Sequence, residues 1–296
     1  MERLKVLVLR GGPDREREVS LKSGASVAAA LREAGHEVVM SDVMPDDLSG
    51  LETACDVVFP VLHGRWGEGG PLQTILEKRG MRFVGCGHIA AGTGMDKVAS
   101  KQAAERAGVP TPIYQQLGET TKLVLPAPMV IKPLSEGSSV GVTICQTLAE
   151  AEAARAEGHR NHPYLLAEQY IKGREVTVGI VDDQVLPPIM IVPAKAFYDF
   201  DAKYDRNDTR YLFDFDLPAG VVEQIKSDAM KVFKAIGARH LSRVDFIVGE
   251  DQRHWFLEIN TLPGFTDHSL LPMAAAKVGI TMPALCDRLV RLALRG

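Results

Sequence analysis

Asp245, Glu258 and Asn260 are the side chains of this sequence whose types and spacing best suit a divalent cation. They lie in RVDFIVGEDQRHWFLEINTLPGFTDHSL, residues 243–270, where two apolar runs, VDFIV and WFLEIN, are followed at once by a Pro-Gly loop. Both runs are short and rich in apolar, β-branched and aromatic residues, which predicts two strands joined through GEDQRH as a hairpin. Antiparallel pairing sets Asp245 near Glu258 and Asn260, and the last two share a face because strand side chains alternate. Two carboxylates and an amide oxygen are hard ligands of the kind Mg²⁺ takes, its remaining positions going to water and phosphate oxygens. The expected chemistry is therefore phosphate chemistry, although a hairpin carrying three solvated polar residues has the same spacing.

A second candidate lies upstream, in Lys132-Pro-Leu-Ser-Glu-Gly-Ser-Ser-Val-Gly141. Glycine and serine amides in such a turn can form a nest of N–H donors for phosphate oxygens, with Lys132 as a point charge beside them. The segment lacks G-K-[ST] and lies between two predicted strands, so it is not a Walker A loop. A plain hairpin connection would read the same way. Gly11-Gly12, after the first apolar run, has no third glycine and gives little support to a dinucleotide fold.

The elements that must position these groups change character along the chain. In the first third, KVLVL, HEVVM and DVVFPVL read as buried strands, with helical stretches over 23–34 and 71–78, an order that predicts a small parallel α/β layer. Ligands usually sit in loops at the carboxyl ends of such strands, here 10–20 and 63–70. A helix over 96–107 leads into Gly108-Val-Pro-Thr-Pro112, a boundary by composition. From Met129 onward, PMVIKP, VGVTIC, YLLAEQYI, EVTVGIV and QVLPPIMIV read as strands joined by short turns, interrupted by one helix over 148–157.

Composition narrows the function. A chain of 296 residues has room for roughly two domains, and 46% hydrophobic with 24% charged residues is ordinary for a soluble globular protein. A net charge of -4 with no basic run interleaved with aromatics argues against a nucleic-acid partner. No apolar run reaches the length of a membrane span, and the one at Leu4–Leu9 is too short for a signal peptide. Cys55, Cys86, Cys145 and Cys286 have no C-x-x-C spacing, which fits a reduced cytoplasm and neither a disulfide framework nor a zinc site.

The glycine-serine turn, E-x-x-I after an apolar strand, the D…E-x-N hairpin and upstream lysines together resemble the ATP-grasp fold. More narrowly, the chain resembles the D-alanine-D-alanine ligase family. The likeness is carried by EREVSLKSG (16–24), LHGRWGEGG (62–70), MDK (95–97), IKPLSEGSSVG (131–141), FYDFDAKY (197–204), RVDF (243–246) and EINTLPGFTDHSLLPM (258–273), in the family's order. Any one motif is weak and the ordered set is very specific. The resemblance implies an α/β and α+β architecture of three domains. These are a parallel α/β layer over 1–93, a central subdomain with the phosphate loop over 94–183, and a carboxy-terminal subdomain with the metal site and closing loop over 184–296.

The implied reaction is ATP-dependent ligation of two D-alanines for peptidoglycan precursor synthesis. ATP phosphorylates the carboxylate of one D-alanine, and the amine of a second attacks the acyl phosphate. By motif, Lys97 and Lys132 hold the α- and β-phosphates, and the 136–140 loop, with Glu136, Ser138 and Ser139, folds over the γ-phosphate. Glu168, Gln169, Tyr170 and Ile171 form the hinge that reads adenine, and Glu175 binds ribose. Asp245, Glu258 and Asn260 ligate two Mg²⁺, or Mn²⁺ in their place. Glu16 faces the ammonium of the first D-alanine and forms a hydrogen-bonded set with Ser138 and Tyr204, while His63 lies near that substrate. Arg243 and the backbone N–H of Gly264 form the oxyanion hole, and Ser269 with the backbone of Leu270 receives the second carboxylate. Lys203 reaches either that carboxylate or the γ-phosphate. Tyrosine at 204 goes with a D-amino acid as second substrate, phenylalanine with D-lactate or D-serine acceptance. A cytoplasmic homodimer joined through the amino-terminal domain is also implied. Three features depart from the family pattern: Arg10 before the glycine pair, Trp66 within the His63 loop, and a long acidic stretch over 205–216.

Overall fold

The computed structural model describes residues 2–137, 140–192, 209–266 and 268–295. Strand β1 (Lys5–Gly11) has a buried centre, as KVLVL predicts, and feeds helix α1 (Arg17–Glu33). That helix is the crossover that lets β1 pair in parallel with β2 (Glu37–Val43) and then with β3 (Val57–Pro60). Helix α1 starts at Arg17 and not at 23. Its buried face runs through Ser20, Ser23, Gly24, Val27 and Leu31, so the first turn has helical spacing but small polar residues that carry no apolar signal.

Three helices follow: α2 (Gly64–Glu68), α3 (Pro71–Lys78) and α4 (His88–Met95). Only α3 was expected; the glycines of GRWGE read as loop, and HIAAGTGM carried no expectation. Helix α5 (Lys97–Arg106) begins one residue after Asp96, whose Oδ1 accepts from Val98 N at 2.8 Å and Ala99 N at 3.0 Å as an N-cap. This cap fixes where Lys97 points.

A four-stranded antiparallel sheet comes next. It comprises β4 (Tyr114–Leu117), β5 (Met129–Pro133), β6 (Thr143–Cys145) and, after helix α6 (Leu148–Gly158), β7 (Leu165–Gln169), in the order β4-β7-β5-β6. Strand β4, the polar YQQL, was not foreseen. The remaining strands make a six-stranded sheet: β8 (Gly173–Val181), β9 (Gln184–Val185), β10 (Ile189–Val192), β11 (Arg210–Leu212), β12 (Leu241–Gly249) and β13 (His254–Asn260). QVLPPIMIV is thus two strands, since Pro187 and Pro188 have no N–H to give a ladder.

Alternation along β8 and β12 sorts the chemistry. Val176, Val178, Ile180, Val244, Phe246 and Val248 are buried in one apolar cluster, beneath helix α7 (Ala219–Ile236). Glu175, Thr177, Arg243 and Asp245 sit at the intervening positions and face the other way. On β13 the register shifts between Asp245 and Phe246, so that Phe246 opposes Phe256 while Asp245 opposes Glu258, leaving Leu257 as the extra residue of a bulge. Helices α8 (Leu270–Lys277) and α9 (Met282–Arg295) pack with α1, β1 and β3 in another core cluster. Among the described residues no single helix is long and apolar enough to cross a membrane.

Candidate active site

A cavity of about 400 Å³ opens between the two antiparallel sheets: Lys132, Ile144 and Glu168 line it from one, Glu175, Asp245 and Ile247 from the other. Strand pairing places Lys132 opposite Leu166, two residues from Glu168 on the same face of β7. Lys132 Nζ donates to Glu168 Oε2 at 2.7 Å, and Lys101, one turn into α5, forms an ion pair with Glu168 Oε1. All three groups are buried. Burial raises the Glu168 carboxyl, but the two ammonium groups outweigh it and hold the group below its ordinary range. Burial lowers Lys132, and Glu168 with Glu258 reverses the sign and raises it. For Lys101 burial prevails over Glu168, Lys132 adds repulsion, and its ammonium is pushed down to about 8. Gln169, Tyr170 and Ile171 line the same cavity.

Lys97 links this cavity to the β12–β13 hairpin. Its Nζ donates to Glu136 O at 2.6 Å and lies 3.4 Å from Glu258 Oε2, while its backbone N–H donates to Leu134 O at 3.2 Å. The start of the glycine-serine turn is therefore tied to β13. Ser138, Ser139, Lys203 and Tyr204 lie outside the described residues. On the hairpin itself, Asp245 opposes Glu258, as the spacing led one to expect, and Arg243 opposes Asn260. Arg243 grips Asp245 in a fork, Nε to Oδ1 at 3.1 Å and Nη2 to Oδ2 at 3.0 Å, and Thr177 Oγ1 donates to the same Oδ1 at 2.5 Å. Asn260 Oδ1 accepts from Leu262 N at 2.9 Å. Among the described residues no group of three or more histidines, cysteines or carboxylates could hold a metal; the candidate set has two carboxylates and an amide.

A smaller, more polar cavity of about 130 Å³ lies on the amino-terminal side, bounded by Glu16, His63, Glu68, Gly264, Ser269 and Leu270. Lys97, Glu136, Arg243 and Glu258 line both cavities and so form their common wall. Asn260 lines only the smaller one. The Pro-Gly loop is held against the parallel layer: Phe265 N donates to Ser23 Oγ at 3.3 Å, and the Phe265 ring meets Phe59 edge-on at 5.3 Å. At Gly264 a Cβ would stand 3.0 Å from Ser269 Oγ and 3.9 Å from His63 Nε2, so glycine leaves the backbone open to the cavity. Ser269 Oγ accepts from Thr266 N at 2.8 Å, at the start of α8.

His63 Nε2 is buried with no hydrogen-bond partner among the described residues. Burial lowers its pKa, Glu16 works against that, and Arg243 reinforces it. Glu68 Oε1 accepts from Gly64 N at 3.0 Å and lies 4.0 Å from His63 Nδ1. Burial and the charge of Glu16 hold the Glu68 carboxyl well above its ordinary range. Burial likewise raises Asp14, whose Oδ2 accepts from Trp66 N at 3.3 Å. Neither Glu68 nor Asp14 was singled out from sequence. The short helix α2 carries Glu68 back beside His63, and the glycines around it hid that helix.

The D-ala D-ala ligase C-terminus family matches residues 103–291 and the D-ala D-ala ligase N-terminus family matches residues 41–86. A D-alanine-D-alanine ligase of Dechloromonas aromatica (strain RCB) is 42% identical over 294 residues, covering 98% of this chain and 97% of its own. The chain belongs to the D-alanine-D-alanine ligase family. A family member from Bordetella avium is 41% identical over 95% of this chain and 92% of its own. Among solved structures of this family, the D-alanine-D-alanine ligase of Bacillus anthracis complexed with ATP superposes with a TM-score of 0.85 at 31% identity, covering 100% of this chain and 98% of that one. A D-Ala:D-Ser ligase from Enterococcus faecalis superposes with a TM-score of 0.87 at 25% identity, covering 99% and 100%. The three-stranded parallel layer and the two antiparallel sheets are the ATP-grasp architecture of the family.

Proposed function

We propose that this chain joins two D-alanine molecules into D-alanyl-D-alanine through an acyl phosphate formed from ATP, releasing ADP and phosphate. The observation that supports it best is the common wall: Lys97, Glu136, Arg243 and Glu258 border both a cavity of nucleotide size and a small polar one. A phosphoryl group leaving the first can meet a carboxylate in the second without crossing solvent.

In this reading Lys97 and Lys132 take the α- and β-phosphates, while the turn containing Glu136, Ser138 and Ser139 closes over the γ-phosphate. Glu168 to Ile171 read adenine and Glu175 the ribose. Asp245, Glu258 and Asn260 fit a Mg²⁺ or Mn²⁺ pair by the chemistry of their donors, which are hard oxygens carried on one face of one hairpin. Bound there, the cations would neutralise charge on the transferring phosphoryl group. Glu16 supplies the anion opposite the first ammonium and, with Ser138 and Tyr204, orients it. His63, which burial keeps neutral, lies beside the carboxylate being activated. Phosphoryl transfer to that carboxylate releases ADP. The second amine, held through Ser269, the Leu270 backbone and Lys203, then attacks the acyl carbon. Arg243 and the Gly264 N–H receive the charge that builds on the carbonyl oxygen, and phosphate departs as the C–N bond forms. The same reading has the enzyme work in the cytoplasm as a homodimer joined through its amino-terminal layer, divided near 93 and 183 into three domains.

Purified protein with ATP, Mg²⁺ and a panel of D- and L-amino acids, scored for phosphate release and product mass, tests the assignment. D-alanine alone is expected to drive turnover and to yield the homodipeptide. Exclusive formation of D-alanyl-D-serine, or turnover with L-alanine, would overturn it. A second outcome concerns Tyr204→Phe, which should move the acceptor toward D-lactate at lower pH. An unchanged product ratio from acid to alkaline pH would count against that role for the phenol.

A further inference from the structure

Lys101 is completely buried and is absent from the walls of both cavities. Yet it sits directly behind Glu168, which does line the nucleotide cavity. An ammonium group has three donors, and each has an acceptor here: Glu168, Thr111 Oγ1 at 2.8 Å and Phe256 O at 3.3 Å. Thr111 is itself fixed, since its hydroxyl donates to Phe256 O at 2.8 Å, and Phe256 N donates to Pro110 O at 2.8 Å. The rings of Tyr114 and Phe256 lie 5.8 Å from Nζ and screen it from water. The nitrogen is therefore anchored to β13 and to the segment before β4. It reaches across to β7 in the other sheet and holds the hinge carboxylate from behind.

We propose that Lys101 is a positioning residue for nucleotide selection: by fixing Glu168 as an aimed acceptor, it sets the preference for a base bearing an exocyclic amine over one bearing a carbonyl at that place. The inference rests on the reading that Glu168 faces the base. A fixed carboxylate accepts from the adenine amine and repels a carbonyl oxygen, as in hypoxanthine. Lys132 also pairs with Glu168, but it lines the cavity and is committed to phosphate, so only Lys101 can hold the carboxylate throughout the reaction. Burial of one carboxylate between two ammonium groups, with the Glu168 carboxyl held low, keeps that acceptor ionised.

The test compares ATP with inosine triphosphate as phosphoryl donor in the full-length enzyme, at saturating D-alanine. Lys101→Met is expected to raise KM for ATP by about 10-fold or more, the usual worth of a hydrogen bond to a charged group. It should raise KM for inosine triphosphate much less and leave KM for D-alanine alone, so that discrimination between the two nucleotides collapses. A purely structural lysine would instead lower stability and move all three constants together. If Lys101→Met does not fold, as judged by circular dichroism, Thr111→Val serves in its place. It removes one acceptor from the ammonium and should narrow the ATP-to-inosine ratio by about 3-fold, a fraction of the full loss. A folded variant of either kind that keeps the parental ratio overturns the proposal. Glu168→Gln separates the two layers of inference. If it too keeps the parental ratio, the hinge does not read the base through this side chain. If it alone collapses the ratio, only the role of Lys101 fails.

Discussion

Asp245→Asn and Glu258→Gln should each lower D-alanine-dependent ADP release by about a thousandfold, the scale on which a misplaced metal or a lost electrostatic clamp acts. Both replacements keep shape and remove one negative charge from the hairpin face. Asp245 now accepts from Thr177 and from the Arg243 fork, so its amide would keep some of those bonds while losing the charge that holds the guanidinium. Glu258 lies in the wall shared by the two cavities, 3.4 Å from Lys97, and its loss leaves that ammonium without the nearest carboxylate. Circular dichroism and thermal melting should show the fold unchanged, because both side chains lie on the face of β12 and β13 turned away from the Val244–Phe246–Phe256 core. Normal turnover in either variant would remove the metal assignment.

Arg243→Met should cost kcat about a hundredfold or more, with little change in KM for either substrate. The reasoning is differential: a guanidinium held by two hydrogen bonds to Asp245 is already in place before reaction, and its charge is worth most when an oxyanion forms. Methionine keeps the length of the side chain and most of its packing. Asp245 then loses its fork, so a part of the effect comes through the carboxylate. A double variant, Arg243→Met with Asp245→Asn, measures that part: the two losses should fall well short of adding. A kcat within a few fold of the parent would mean that the arginine only organises Asp245.

The chemistry was legible in the sequence wherever alternation carried it. VDFIV and WFLEIN, joined by a short polar connection, read as a hairpin that brings Asp245 near Glu258, although the bulge at Leu257 that sends Phe256 inward and Glu258 outward was not foreseen. The parallel layer was equally plain, but HEVVM, expected as a buried strand, is the edge strand β2, of which only Val43 is buried. Helices α7, α8 and α9 were not foreseen although their buried Ile225, Val232, Phe233, Leu271, Leu285 and Leu289 are apolar; several other elements that escaped have buried positions that are small or polar. The first turn of α1 hides Ser20 and Ser23, α2 and α4 are rich in glycine, and β4 is YQQL. The missed parts of the site follow from the same cause: Glu68 reaches His63 only through a five-residue helix that periodicity does not reveal. Lys101 escaped for another reason. A lysine on an amphipathic helix reads as solvated, and only the packing of α5 against β13, α4 and α7 shows it to be interior.

The bulge at Leu257 sets a length constraint on this part of the chain. With one residue more on β13 than on β12, Phe256 faces the interior and Glu258 emerges toward the reactants. A strand that alternated without a break would turn Phe256 and Glu258, two residues apart, to the same side, so insertions and deletions among related ligases should collect in the surface connections and spare the interval from 254 to 260.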